Sequence, residues 1–150
     1  MKIILPPILF IALLPTMWIL SLFDSTILKA VHNSGTPYWE IGICASLGCL
    51  FLIGARLQFK KEKSEIMTFN QPQNLVTKGL FRISRNPMYL GFLLLLIAFA
   101  LYINIWLGLI APLIFFTVAN YWYIPYEEKA AVEVFGDSYR NYKEKVRKWI

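Results

Sequence analysis

The residues able to do chemistry sit in three short pieces of sequence, each at the end of an apolar run. The first is Leu75-Val76-Thr77-Lys78-Gly79-Leu80-Phe81-Arg82. The second follows almost at once, as Arg85-Asn86-Pro87-Met88-Tyr89-Leu90-Gly91. The third is Tyr126-Glu127-Glu128, leading to Phe135-Gly136-Asp137-Ser138-Tyr139 and Tyr142. Each piece alone has a plain structural reading. Arg82 and Arg85 are what the cytoplasmic flank of a membrane span carries. Asn86-Pro87 is a sound helix start, with Asn capping orphan N–H groups and Pro in the first turn. Tyr89 suits a membrane interface, and Gly136 suits a turn. Glu127 and Glu128 can be surface charges, although adjacent carboxylates directly after an apolar run are not what a cytoplasmic flank usually shows.

Other chemistries are excluded early. Cys44 and Cys49 share one apolar stretch at an offset that turns them to different helix faces, so neither a disulfide nor a metal site is expected. His32, the single histidine, stands in a short polar loop without a Cys or carboxylate cluster. Metal binding and His-based triads are therefore not expected. The net charge of +6 could suggest nucleic acid, but the basic residues lie between and after the apolar runs. A membrane surface explains them better, and no nucleic-acid partner is expected.

The elements that must position these pieces are membrane spans. Hydrophobic residues make up 57% of the chain and charged ones 16%, and the mean hydropathy is +0.53, which is membrane composition. About 20 apolar residues are needed to cross a hydrocarbon core of about 30 Å. A first span is expected at 3–23, with Pro6 and Pro7 in its first turn; it is too long for a secretory signal core and ends without a small-x-small cleavage pattern. A second is expected at 38–57, where Gly42, Ala45, Ser46, Gly48 and Gly54 suit close helix packing in lipid. The run from Met88 to Ile124 is too long for one crossing and should fold back at Asn104, giving a helical hairpin with arms at 88–103 and 105–123. The expected fold is thus an all-α integral membrane domain of about four transmembrane helices, with a polar loop at 66–87 and an amphipathic helical tail at 126–150.

Lys and Arg are scarce from Asp24 to Pro37 and concentrated from Arg56 to Arg85 and after Glu128. By the positive-inside rule both termini, the loop and the tail face the cytoplasm, as in a bacterial inner membrane. In the tail, Tyr139, Tyr142, Val146 and Trp149 recur at three- and four-residue spacing, which predicts a helix lying along the membrane, with Lys143, Lys145, Arg147 and Lys148 available to anionic head groups.

Taken together, in this order and spacing, the three pieces resemble the isoprenylcysteine carboxyl methyltransferase family and its bacterial and phospholipid methyltransferase relatives. The resemblance covers about half the chain, from Gln73 to Trp149, and rests on Leu-Val-Thr-x-Gly-x-aromatic-Arg, Arg-Asn-Pro-x-Tyr-x-Gly, Glu-Glu and Phe-Gly-x-x-Tyr-x-x-Tyr. It implies a membrane enzyme that uses S-adenosylmethionine to methylate a membrane lipid or lipidated substrate. It implies donor contacts at Gln73, Asn74, Leu75, Val76, Phe81, Asn86, Pro87, Met88, Tyr89 and Glu127, and candidate catalytic roles for Arg85, Tyr123 and Glu128. The implied chemistry is an in-line displacement that needs positioning and water exclusion more than a covalent intermediate.

Two positions depart from the family pattern. Asn86 replaces the histidine of the eukaryotic enzymes, and an amide still hydrogen-bonds. Tyr123 stands where the prenylcysteine enzymes carry an arginine thought to hold the substrate carboxylate, offering a neutral hydroxyl in place of a bidentate cation. A prenyl-thioether carboxylate, a phospholipid amine and another membrane lipid therefore all remain as acceptors. An NADPH-dependent reductase of related fold and a non-catalytic membrane scaffold are the competing functions.

Overall fold

The computed structural model describes residues 6–27, 37–62, 74–104 and 106–150. Among these the regular structure is helical, with no strand. Helix α1 spans Pro6–Ile27, α2 spans Tyr38–Lys61, and α3 spans Pro87–Ile103. A short 3₁₀ turn at Trp106–Leu109 leads into α4, Ile110–Val118. A wider π turn at Ala119–Tyr123 joins α4 to α5, Ile124–Phe135, and α6 follows at Asp137–Lys145.

Local chemistry explains where these helices stop. Asn104 takes the left-handed conformation at φ 58°, and its N–H donates to Ala100 O at 3.2 Å. A short polar side chain tolerates that geometry better than its apolar neighbours would. The chain then reverses, so α3 and α4 form the expected hairpin. Gly136, at φ 53° and ψ −126°, breaks α5 from α6 in a conformation costly for any residue with a Cβ.

The tightest helix crossing is between α2 and α3. A Cβ placed on Gly91 would lie 2.9 Å from both Gly48 O and Leu52 N, so the two backbones touch there. Gly48 is one of the small residues that suggested close packing, whereas Gly42 has open space around it. Small residues at such crossings let dispersion act over a longer contact, which matters where lipid removes the hydrophobic drive between helices.

Two helices are long and apolar enough to cross a membrane: Tyr38–Lys61 and the continuous helix Leu107–Phe135. Pro6–Leu22 and Pro87–Ile103 are shorter apolar helices beside them. Only 11% of the apolar window of α2 is buried in the protein, and Ile43, Leu47, Leu50, Ile53 and Leu57 all point outward. A soluble protein would not leave such a face in water, whereas hydrocarbon accepts it.

The last long helix does not end at Tyr123, where the apolar run suggested. Its 29 residues extend about 43 Å, more than the hydrocarbon thickness of about 30 Å. All its charged residues lie from Glu127 onward, so that end projects beyond the apolar layer. The tail departs from expectation as well. Tyr139 and Tyr142 are buried against the protein and not offered to lipid.

Two buried clusters result. One lies among the apolar helices and contains Met17, Tyr89, Phe92, Leu96, Phe115, Tyr123 and Ile124. The other lies at the polar end and contains Ala55, Val76, Phe81, Ala131, Tyr139 and Tyr142. Neighbouring residues at the start of α3 link them: Met88 packs on the second cluster, while Tyr89 belongs to the first.

Candidate active site

The start of α3 is where the three sequence pieces meet. Gly79–Arg82 forms a 3₁₀ turn whose entry, Gly79, has φ +58°. Gln58, near the end of α2, lies where a Cβ on Gly79 would go, and its Oε1 accepts the Leu80 N–H at 3.2 Å. This seats Phe81 edge-on against Phe59, ring centres 5.0 Å apart. Tyr142 OH donates to Phe81 O at 2.6 Å and ties α6 to the same turn.

Asn86 occupies the cap position of α3 and Pro87 its first turn, but the Asn86 side chain makes no capping bond. Ser84 Oγ accepts the Asn86 N–H at 3.1 Å, and Asn86 Nδ2 donates to Lys148 O at 3.0 Å. The expected cap thus becomes a tether to the C-terminal segment. Missing one cap bond is tolerable here because Pro has no N–H to satisfy.

One turn further on, Tyr89 OH donates to Glu127 Oε1 at 2.9 Å, joining the second sequence piece to the third across 38 positions. The Tyr89 ring stacks on Tyr123, 6.2 Å between centres at 25°, and tilts against Phe115 at 6.4 Å. Glu127 is half-buried, so its carboxylate lies at the boundary between this aromatic floor and solvent.

Arg85 and Glu128 serve a different arrangement. Arg85 Nη2 and Glu128 Oε1 form an ion pair at 2.7 Å between side chains only 7% and 9% exposed. Lys143 Nζ meets Glu128 Oε2 at 2.7 Å. Arg85 Nη1 donates to Lys143 O at 2.8 Å and Val146 O at 2.7 Å, and the Arg85 backbone N–H donates to Arg147 O at 3.0 Å. Burial alone would raise the Glu128 carboxyl, but the bonds from Lys143 and Arg85 outweigh it and hold it below the ordinary carboxylate range. Burial pushes the Tyr142 phenol above its usual value, with Arg85 pulling the other way. Tyr139 is raised as well, by burial first and then by the Glu128 charge.

Of the donor-contact candidates, Asn86, Pro87, Met88, Tyr89 and Glu127 come together at this junction. Leu75, Val76 and Phe81 gather in the neighbouring polar-end cluster, covered by Phe59, Tyr139 and Tyr142. Asn74 sits exposed near the end of α2, with Nδ2 donating to Glu62 O at 2.9 Å. Gln73 lies outside the described residues, as do positions 66–72 of the expected loop. Of the candidate catalytic residues, Tyr123 is at the aromatic floor, while Arg85 and Glu128 fasten the tail.

Two contributors escaped the sequence reading, Ser84 and Asn120. Ser84 is fully buried, and its Oγ also donates to Lys148 O at 3.4 Å. Asn120 Oδ1 accepts Lys148 Nζ at 3.3 Å and Trp149 Nε1 at 3.2 Å. A lone amide in an apolar run was the available signal, since such residues turn inward toward a partner.

A family model described as phospholipid methyltransferase matches residues 39–138, two-thirds of the chain and all three sequence pieces up to Ser138. The chain belongs to the phospholipid methyltransferase family. Membership implies methyl transfer at a membrane, in keeping with the outward apolar faces of α1 and α2. An uncharacterized protein of Haemophilus influenzae is 43% identical over 63 residues, which are 42% of this chain and the whole of that relative. The family model stops short of Tyr142 and the segment that binds Ser84, Asn86 and Asn120.

Proposed function

We propose that this member of the phospholipid methyltransferase family is a multi-pass enzyme that takes its methyl group from S-adenosylmethionine and delivers it to a lipid-embedded acceptor. Its loop, tail and both termini face the cytoplasm, as the basic residues around them favour. The observation that carries the reading is the Tyr89–Glu127 hydrogen bond at 2.9 Å, which draws two distant motifs to one junction between the apolar and polar clusters.

The residues at that junction fit the charged end of the donor. Glu127 offers a carboxylate to an ammonium or to ribose hydroxyls. The stacked Tyr89 and Tyr123 rings offer π faces to a sulfonium. Arg85 Nε is a buried donor without a hydrogen-bond partner among the described residues, suited to a ligand oxygen. Leu75, Val76 and Phe81 supply apolar surface for a nucleobase beside Met88. When bound, S-adenosylmethionine supplies an electrophilic methyl group on a good leaving group. The chain's part is to orient the reactants and exclude water, which the aromatic floor and the tethered tail support.

Within this reading a phospholipid amine is the favoured acceptor. Tyr123 offers no charge to a substrate carboxylate, and Glu127 is a carboxylate able to take a proton from an amine. The test is isothermal titration of S-adenosylmethionine into detergent-purified protein. Tyr89→Phe and Glu127→Gln should each weaken binding by about tenfold, near 1.4 kcal/mol. Wild-type protein that binds no donor in several lipids overturns the assignment.

A further inference from the structure

Lys148 is gripped at both ends by the elements that carry the Tyr89–Glu127 pair. Its carbonyl accepts Asn86 Nδ2 at 3.0 Å and Ser84 Oγ at 3.4 Å, at the entry to α3. Its ammonium donates to Asn120 Oδ1 at 3.3 Å, on the helix that carries Tyr123 and Glu127. The next residue, Trp149, shares that acceptor and lies 5.0 Å from Phe116, against the cluster that holds Tyr89 and Tyr123.

This ammonium differs from the other tail cations. Lys145 and Arg147 are exposed, whereas Lys148 is half-buried. Lys143 is paired with Glu128, whereas Lys148 meets a neutral amide and, among the described residues, no carboxylate within ion-pair distance. An ammonium has three donors, and a partly desolvated one is costly unless an anion answers it. At the same level of the helix Tyr121, Trp122 and Tyr126 are exposed, at 76%, 53% and 59%. Such an aromatic belt belongs at head-group depth, where the anionic oxygens present are those of lipids.

We propose that Lys148 binds an anionic head-group oxygen of the lipid acceptor, a phosphate or a carboxylate, and so holds the acceptor at the rim of the junction. Asn120 is the positioning residue that aims the ammonium. The role as an acceptor site rests on the methyltransferase reading, while anion binding by Lys148 stands on its own geometry.

The experiment is isothermal titration in neutral maltoside micelles with three probes: dihexanoyl phosphatidylethanolamine, an S-prenyl thiopropionate and uncharged dihexanoylglycerol. Wild type and Lys148→Arg should prefer one of the two oxyanion probes over the glycerol by about tenfold. The probe preferred identifies phosphate or carboxylate. Lys148→Gln should lose the preference. Asn120→Asp should lose it too, because a carboxylate there neutralises Lys148 while keeping an acceptor for it and for Trp149. If the contact only docked the tail, Asn120→Asp would strengthen it and leave lipid preference unchanged. Preference surviving in either Lys148→Gln or Asn120→Asp, or absent from a wild type that binds S-adenosylmethionine, overturns this inference alone. A wild type that binds the oxyanion probe through Lys148 but no S-adenosylmethionine removes the acceptor role together with the proposed activity.

Discussion

Inside the helix bundle, Phe115, Leu96 and Met17 are wholly buried and meet other apolar side chains. At the polar end, Phe81, Tyr139 and Tyr142 are nearly as buried, yet their surroundings include the Arg85–Glu128 ion pair and a series of bonds to main-chain carbonyls. The first cluster is bounded by lipid, where shape and close contact decide stability. The second is bounded by water, and its short helix α6 is too polar to be held by apolar burial alone. The difference teaches where each region is vulnerable: the bundle to an added atom, the tail to a removed charge.

The largest effect should come from the tail side. Arg85→Leu leaves Glu128 buried with one cation fewer and frees the carbonyls of Lys143 and Val146. Removing one partner of a buried pair costs about 3–5 kcal/mol, so the tail should detach before the bundle melts. Limited proteolysis should then cut after Gly136 while the bundle stays intact in detergent. Simultaneous loss of both would break the comparison.

A smaller effect belongs to the bundle. Gly91→Ala places a methyl against the backbone of α2, which cannot rotate aside. Overpacking of this kind costs about 1–3 kcal/mol, more than alanine's helix preference returns. The thermal midpoint in maltoside should fall, while the rate of tail proteolysis below that midpoint should not change.

The smallest effect concerns Tyr142. Its phenol is favoured in the neutral form, with its dissociation held above the usual range by burial. A raised acid contributes stability that is complete below its unfolded value near pH ~10 and is lost as pH climbs through the folded value. Tail proteolysis should therefore accelerate above that pH and stay flat from neutrality up to it. Tyr142→Phe removes the bond to Phe81 O at about 1 kcal/mol and should weaken the alkaline transition, with Tyr139 supplying what remains.

The all-α membrane character was legible in the sequence because the length of an apolar run is a direct measure of hydrocarbon thickness. The reversal at Asn104 was legible for the same reason, since the run exceeded one crossing. Continuity of α4 into α5 was not, because Glu127 and Glu128 mark where lipid ends and helical hydrogen bonding ignores that boundary. The stripe of Tyr139 and Tyr142 was visible as a period, but a period does not say whether lipid or protein covers it. In the site, Tyr89 and Glu127 were named through motif order, whereas the Arg85–Glu128–Lys143 tie and the Asn120–Lys148 contact join positions far apart in sequence. No local pattern announces such pairs.

The π turn at Ala119–Tyr123 has one further consequence. Buried positions on the last long helix run Phe115, Ala119 and Tyr123, and then Ile124, Glu128 and Ala131. The first set steps by four residues and the second restarts one residue on, at Ile124, stepping by four and three. The turn therefore works as a built-in phase correction of one residue. Without it the far half of the helix would be swung by about 100° about its axis, carrying Glu127 and Glu128 off the side that meets Tyr89 and Arg85. The register between the apolar and polar ends is kept by that single skipped beat.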